Sequence, residues 1–286
     1  MNYGKKFKVK PGEKIRLSKI NPSYSGKHIS QEDAMPSIQK NIERMTKLQY
    51  LLYADGNQSL LVVLQALDAG GKDGVIRHVF TGMNPQGTSV AAFKQPSRME
   101  TAHDFLWRIH LRSPAKGQVV IFNRSHYEDV LVVRVHKLVP KSVWSERYEI
   151  INDFEKSLVK NGTRILKFYL HISPEEQLER FKARLGDPER QWKISETDYS
   201  ERKLWKDYTK AYEEVFERTS TEHAPWHIIP ANKKWFRNLA ISQIISNAME
   251  EMDLKLPQPQ VDIAQIKRKY HAALKEQARS SPKSSK

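Results

Sequence analysis

The stretch SLLVVLQALDAGGKDG, residues 59–74, constrains what this chain can fold into more than any other. Leu60 to Leu64 is a short apolar run with β-branched residues, which predicts a strand buried on both faces. Gly70, Gly71 and Gly74 follow around Lys72, and beyond them Val75, Val79 and Met83 recur at helical spacing. A strand that passes through a glycine-rich turn into a helix gathers backbone N–H groups, a helix N-terminus and a lysine at one point. Such a point holds phosphate oxygens.

The turn departs twice from the general phosphate-loop pattern G-x-x-x-x-G-K-[ST]. Ala66 stands at the first glycine, Asp73 replaces the hydroxyl residue that would hold magnesium, and Asp68 adds a second carboxylate. Carboxylates repel bound phosphates unless a metal ion or another cation lies between, or unless one acts as a base toward an incoming phosphate. The two acids therefore argue for metal-dependent phosphoryl transfer, with Ala69, Gly70, Gly71, Lys72, Asp73 and Gly74 as the binding segment. Taken alone, the stretch also fits a glycine turn with a snorkelling lysine and a capping aspartate.

Elsewhere strands alternate with helices. Apolar runs at residues 88–94, 118–123, 164–172 and 226–231 are expected strands, making five in all. Helical periodicity marks residues 31–52, 99–112, 142–160, 175–185, most of 189–218, and 235–252. The expected fold class is α/β, a five-stranded parallel sheet with helices on both faces. Residues 1–30 read as an irregular basic arm laid over a domain spanning 31–256, and residues 257–286 as a basic tail.

The net charge of +15 invites a nucleic-acid reading, so its distribution matters. Residues 1–20 carry +6, residues 266–286 carry +6, and the remaining 245 residues only +3. Basic ends on a nearly balanced body need no polyanion to explain them, and no motif for duplex or RNA recognition is present. With no cysteine, no apolar leader and no run near the ~20 residues of a membrane span, the expectation is a cytoplasmic protein without a membrane partner.

Two further constellations carry chemistry. The run QVVIFN ends abruptly in Asn123, Arg124, Ser125, His126, Tyr127, Glu128 and Asp129, and ligands collect at the carboxyl ends of strands in open α/β sheets. Asn123 occupies the place where phosphate-loop enzymes put a metal-binding aspartate. An amide binds a hard cation less strongly, so Asp68 and Glu128 are the acids expected to complete a metal site. Arg180, Lys182, Arg184, Arg190 and Lys193 flank a Gly-Asp-Pro break, as a lid over residues 175–218 would require, although a solvated helix face fits the same charges.

The blocks LDAGGKDG, FNRSHYEDVLVVRVHKLVP, RFKARLGDPERQWKIS with KLWKDYTKAYEEV, and STEHAPWHIIPANKKWFRN together resemble the polyphosphate kinase 2 family. The resemblance runs from about Gln31 to Leu256. It implies a P-loop kinase-like core with a helical lid, acting between inorganic polyphosphate and nucleotides and often assembled as a tetramer. It makes Asp68 and Lys72 loop residues for magnesium and phosphate, Arg124 a strand-end phosphate clamp and Arg184 a lid arginine. Asn123 departs from the aspartate most members carry, and together with Glu128 it looks like the class III subgroup, which accepts mono- and diphosphates.

The expected activity is thus magnesium-dependent phosphorylation of AMP to ADP and ADP to ATP, with manganese as substitute metal and guanine nucleotides as further acceptors. Lys72, Arg77, Arg124 and Arg134 are nominated for the polyphosphate track, with Arg180 and Lys193 added from the lid. Whether Asp68 holds metal or orients the acceptor phosphate stays open. The rivals are an ATP-dependent nucleotide kinase and a basic nucleic-acid-binding protein.

Overall fold

The structure, a computed structural model, describes residues 1–280. Strands β1 (Ser59–Gln65), β2 (Thr88–Ala92), β3 (Val119–Asn123), β4 (Thr163–His171) and β5 (Trp226–Pro230) form one sheet in the order β2-β3-β1-β4-β5. All four pairings are parallel. Every residue of β1 is buried, as an unbroken apolar run at the centre of a two-sided sheet demands.

The pleat divides that run between two cores. Leu60, Val62 and Leu64 pack with Ile38, Met45, Val79 and Leu239, so the helices Gln31–Asp55, Lys72–Val79 and Lys234–Glu250 cover one face. Leu61 and Val63 join Val130, Ile151, Phe154 and Phe216, so the helices Glu128–Val135, Lys141–Lys160 and Trp205–Thr219 cover the other. Gln31–Asp55 shows how locally the ends are set. Ser30 caps it by accepting from the Asp33 amide, and Gly56 closes it at φ 63°, a left-handed turn that favours glycine.

Register places the site. Leu64 lies beside Asn123, so the turn after β1 and the polar turn after β3 emerge side by side. The chain leaves β1 for β2 and β3 on one flank and takes β4 and β5 on the other, which opens a crevice at the carboxyl ends where the strand order reverses.

Two expectations change. Residues 99–112 are not one helix but two short turns, Arg98–Thr101 and Trp107–His110. Asp104 interrupts the pattern by accepting from the Leu106 amide, a local bond that competes with the helix. Residues 189–218 likewise break into a turn at Gln191–Lys193 and the helices Glu196–Lys203 and Trp205–Thr219, the former started by a Ser195–Asp198 capping box. The first thirty residues are irregular for most of their length, with short helical turns at Tyr3–Phe7 and Leu17–Lys19, and they lie against the domain. Tyr3–Phe7 is helical, Lys8 bridges His227, and Tyr3, Val9 and Leu17 are buried, so the segment shields the edge strand β5.

Candidate active site

Beyond Gln65 the chain folds tightly onto itself. Ala69 adopts φ 58°, and Gly71 caps the Lys72–Val79 helix at φ 102°. A Cβ on Gly70 would lie 2.4 Å from that of Ala66, and one on Gly71 would lie 2.0 Å from the Arg237 guanidinium, so both positions need glycine. Lys72 folds back and donates from Nζ to the Ala66 carbonyl at 2.9 Å, which braces the loop's start. Burial, and then the charge of Arg124, push the Lys72 pKa down, against the pull of Asp68, Glu128 and Asp73.

The two acids meet the strand-end turn of β3. Arg124 donates from Nη2 to Asp68 Oδ1 at 3.2 Å, and Asn123 donates from Nδ2 to Asp73 Oδ1 at 2.9 Å. Lys193 adds a longer contact to Asp73, 3.7 Å. Arg124 holds φ 62°, a left-handed conformation that costs about 1–2 kcal/mol outside glycine. Its amide still donates to the Leu64 carbonyl, so the chain turns sharply just as it leaves the sheet.

Beneath this turn lies a buried polar layer. Gln65 donates to the Ser125 hydroxyl, and Lys167 Nζ contacts Glu155 at 2.6 Å, the Tyr127 hydroxyl at 2.8 Å and the Thr219 carbonyl at 2.7 Å. His126 closes the set against Glu155 at 3.2 Å. Ser125, His126 and Tyr127 therefore point into the body rather than toward ligand. Asp129 is held by Arg147 and Arg108, and burial raises its pKa to about 6.

Above the strand ends opens a cavity of about 1070 Å³. The segment Asp68–Gly74, Arg77, Asn123, Arg124, Arg184 and Lys193 line it, joined by Lys94, Lys234 and Arg237. Most expected residues thus meet in one place. Glu128 lies just beyond the lining, half-buried, where burial raises its pKa against Arg124, Lys72 and Gln65.

Arg134 does not belong to the site. It pairs with Glu214 at 2.6 Å and lies over the Trp144 ring, because its helix turns that face toward Lys141–Lys160 and Trp205–Thr219. Arg180 lines the cavity but is a strut more than a free cation. It holds Glu176 at 2.7 Å, the Ala69 carbonyl at 2.8 Å and the Ala231 carbonyl at 2.5 Å, tying the loop to the end of β5. Arg184 donates to the Lys193 carbonyl, across the Gly186–Pro188 break.

The expected metal trio of Asp68, Asn123 and Glu128 comprises two acids and an amide, and Asp68 and Asn123 are engaged by Arg124 and Asp73 respectively. Among the described residues no three His, Cys, Asp or Glu side chains converge. Asp68 and Asp73 offer separate carboxylates on the cradle, the first held by Arg124 and the second by the Asn123 amide. Scattered hard oxygens suit a cation such as magnesium, which keeps waters and takes further ligands from bound phosphates.

Sequence reasoning missed Arg237 and Lys234. Both stand in the quoted block ending in KKWFRN, but nothing local in that block separates them from an ordinary helix start.

A parallel sheet with a lysine-bearing phosphate loop at its point of strand reversal, acids included, defines the class as a phosphotransferase of the P-loop kind. The profile of the family described as Polyphosphate kinase 2 (PPK2) matches residues 28–257, and the chain belongs to that family. A relative from Meiothermus ruber, named AMP/ADP-polyphosphate phosphotransferase, is 49% identical over 257 residues, covering 90% of this chain and 96% of that one. An ADP-polyphosphate phosphotransferase from Rhodopseudomonas palustris is 44% identical, over 89% and 92% of the two chains. The crystal structure of Polyphosphate Kinase 2 from Arthrobacter aurescens TC1 superposes with a TM-score of 0.88 at 40% identity, covering 92% of this chain and 95% of that one. The family implies a divalent metal. Neither rival function is favoured by these likenesses.

Proposed function

We propose that the chain transfers phosphoryl groups between inorganic polyphosphate and nucleoside mono- and diphosphates, taking AMP to ADP and ADP to ATP. The observation that carries the reading is the pairing of Asp68 with Arg124 and of Asp73 with Asn123 around Lys72, on a phosphate loop. The names of the two relatives support the same substrates.

In the reaction a terminal phosphate oxygen of the acceptor attacks the end phosphorus of the chain, the bridging P–O bond breaks, and the shortened chain leaves with that oxygen. The loop amides and Lys72 hold the transferred group, and Arg124 and Arg184 neutralise its equatorial oxygens. Asp68, with Asp73 and the Asn123 carbonyl, would hold the divalent ion. Bound there it screens the charge of the phosphates; magnesium is the proposed ion and manganese its substitute.

Glu128, whose carboxylate feels the Arg124 charge, would distinguish a monophosphate from a diphosphate acceptor through that arginine. The helices from Pro174 to Thr219 act as the lid. A cytoplasmic setting, acceptance of guanine nucleotides and assembly as a homo-tetramer complete the proposal.

The test is purified protein with magnesium, polyphosphate and either AMP or ADP, following ATP. ATP formation from both acceptors is expected. Phosphorylation of AMP by ATP alone, with none by polyphosphate, would establish the nucleotide-kinase reading instead.

A further inference from the structure

The helix Pro174–Leu185 turns two side chains, one turn apart, onto the phosphate loop. Gln177 donates from Nε2 to the Asp68 carbonyl at 2.9 Å, and Arg180 donates from Nη1 to the Ala69 carbonyl at 2.8 Å. Two successive peptides of the loop are thereby held from outside it, where Ala69 takes φ 58°. Carbonyls claimed by this helix are not turned on the phosphates, which leaves the loop its amides for ligand.

Arg180 is itself anchored, by Glu176 and by the end of β5. Gln177, 2% exposed, depends on a second residue. Its Oε1 accepts from Arg202 Nη1 at 2.9 Å, and the same nitrogen donates to the Pro174 carbonyl at 2.7 Å. Both acceptors are uncharged. An arginine placed on an amide oxygen polarises that amide and strengthens the bond its nitrogen gives to Asp68.

Arg202 comes from the helix Glu196–Lys203, within the lid. At the start of that helix Ser195 and Asp198 line the cavity. Toward its end Glu201 accepts from the Tyr208 hydroxyl at 2.8 Å and meets His136 Nε2 at 3.1 Å. The cavity wall, the seat on the body and Arg202 thus belong to one short helix, whose position reaches Gln177 through the arginine.

We propose that Arg202 and Gln177 are positioning residues for phosphoryl transfer: together they fix the Asp68 peptide, so that the loop is correctly set only while the helix Glu196–Lys203 is seated. Neither side chain lines the cavity, so their effect on the reaction passes through Asp68. The assignment rests on the proposed function and adds what ties lid to loop.

Arg202→Met, Arg202→Lys, Gln177→Leu and the double variant Arg202→Met, Gln177→Leu are compared with wild type in two measurements. The first is hydrogen exchange of the ligand-free protein. In Arg202→Met the peptide over residues 66–75 is expected to exchange about 10-fold faster, the range for a lost bond to a charged group, while peptides from β1 and β4 keep their rates. The second is steady-state kinetics with polyphosphate, in which Arg202→Met lowers kcat about 10-fold and moves KM for ADP less than about threefold. Because Arg202 acts through Gln177, the double variant is expected to be no slower than Gln177→Leu. Arg202→Lys, which keeps a charged donor, loses less than Arg202→Met.

Losses that multiply in the double variant would show two side chains acting separately and overturn the relay. Faster exchange spread over all peptides, with kcat unchanged, makes the pair a structural strut and overturns it too. Arg202→Met decides alone, by loop exchange and kcat, if Gln177→Leu does not fold. A wild-type protein that makes no ATP from polyphosphate fails the proposed function, whereas loop exchange still decides whether helix and loop are tied.

Discussion

Each acid on the cradle is held by a side chain from the neighbouring strand end, so loop and turn act as one charged assembly. Removing one member should be felt in turnover more than in folding. Lys72→Ala and Asp68→Asn are each expected to lower kcat roughly 100-fold or more, the scale for losing a group that stabilises developing charge. Arg134→Ala is the control. Its cation serves Glu214 and Trp144, so kcat should stay within about twofold while stability falls by about 1 kcal/mol, read by chemical denaturation. Glu128→Ala should raise KM for AMP more than for ADP; equal effects on both would remove its discriminating role.

At the scale of elements, the turn after β3 stands on the buried cluster of Lys167, Glu155, Tyr127 and His126. Burial lowers the pKa of Lys167, whereas its charge holds Glu155 below the usual carboxylate range despite burial. Lys167→Met would strand Glu155, and a loss of about 3–5 kcal/mol in denaturant titrations is expected. The double variant Lys167→Met, Glu155→Leu should recover much of that, because both charges then leave together.

The β5 edge carries a pH dependence of its own. His227 is buried beneath the bridge to Lys8, and burial lowers its pKa from 6.5 to about 4. The unfolded chain therefore binds a proton in the window between about 6.5 and 4 that the folded chain refuses. Stability from this group is intact above the window and is lost as pH falls through it, up to about 3 kcal/mol. Melting temperatures at pH 7.5 and 4.5 should converge in His227→Gln relative to wild type. An unchanged gap would show that other groups carry the acid sensitivity.

For the whole molecule, the two basic ends prove unlike. The first twenty residues bury Tyr3, Val9 and Leu17 and donate the Leu17 amide to Glu213, so cutting them should cost stability whatever the function. The helix Ile263–Ser280 is exposed along residues 263–278. Truncation before Ile263 is thus the cleaner test of the nucleic-acid rival, and ATP formation from polyphosphate is expected to survive it within about twofold. KM for polyphosphate should also climb steeply with salt, as counterion release requires, and a flat response would argue against a cationic track.

Much of this was legible from residues 59–74 and the periodic runs alone. Five strands, their alternation with helices, the phosphate loop and the polar burst after β3 depend on neighbours in the chain: apolar runs, glycines, caps. Asp104 shows the limit even there, since one side-chain bond to a nearby amide split a helix whose periodicity looked continuous. Which cations face the loop depended on contacts between residues far apart. Arg134 was drawn away by two helices packed later in the chain, Arg180 was consumed by carbonyls at the end of β5, and Arg237 arrived from the last helix of the domain. A charge in sequence has no direction until strand register and the two faces of the sheet assign it one, and those are set by burial across the whole fold rather than by any local stretch.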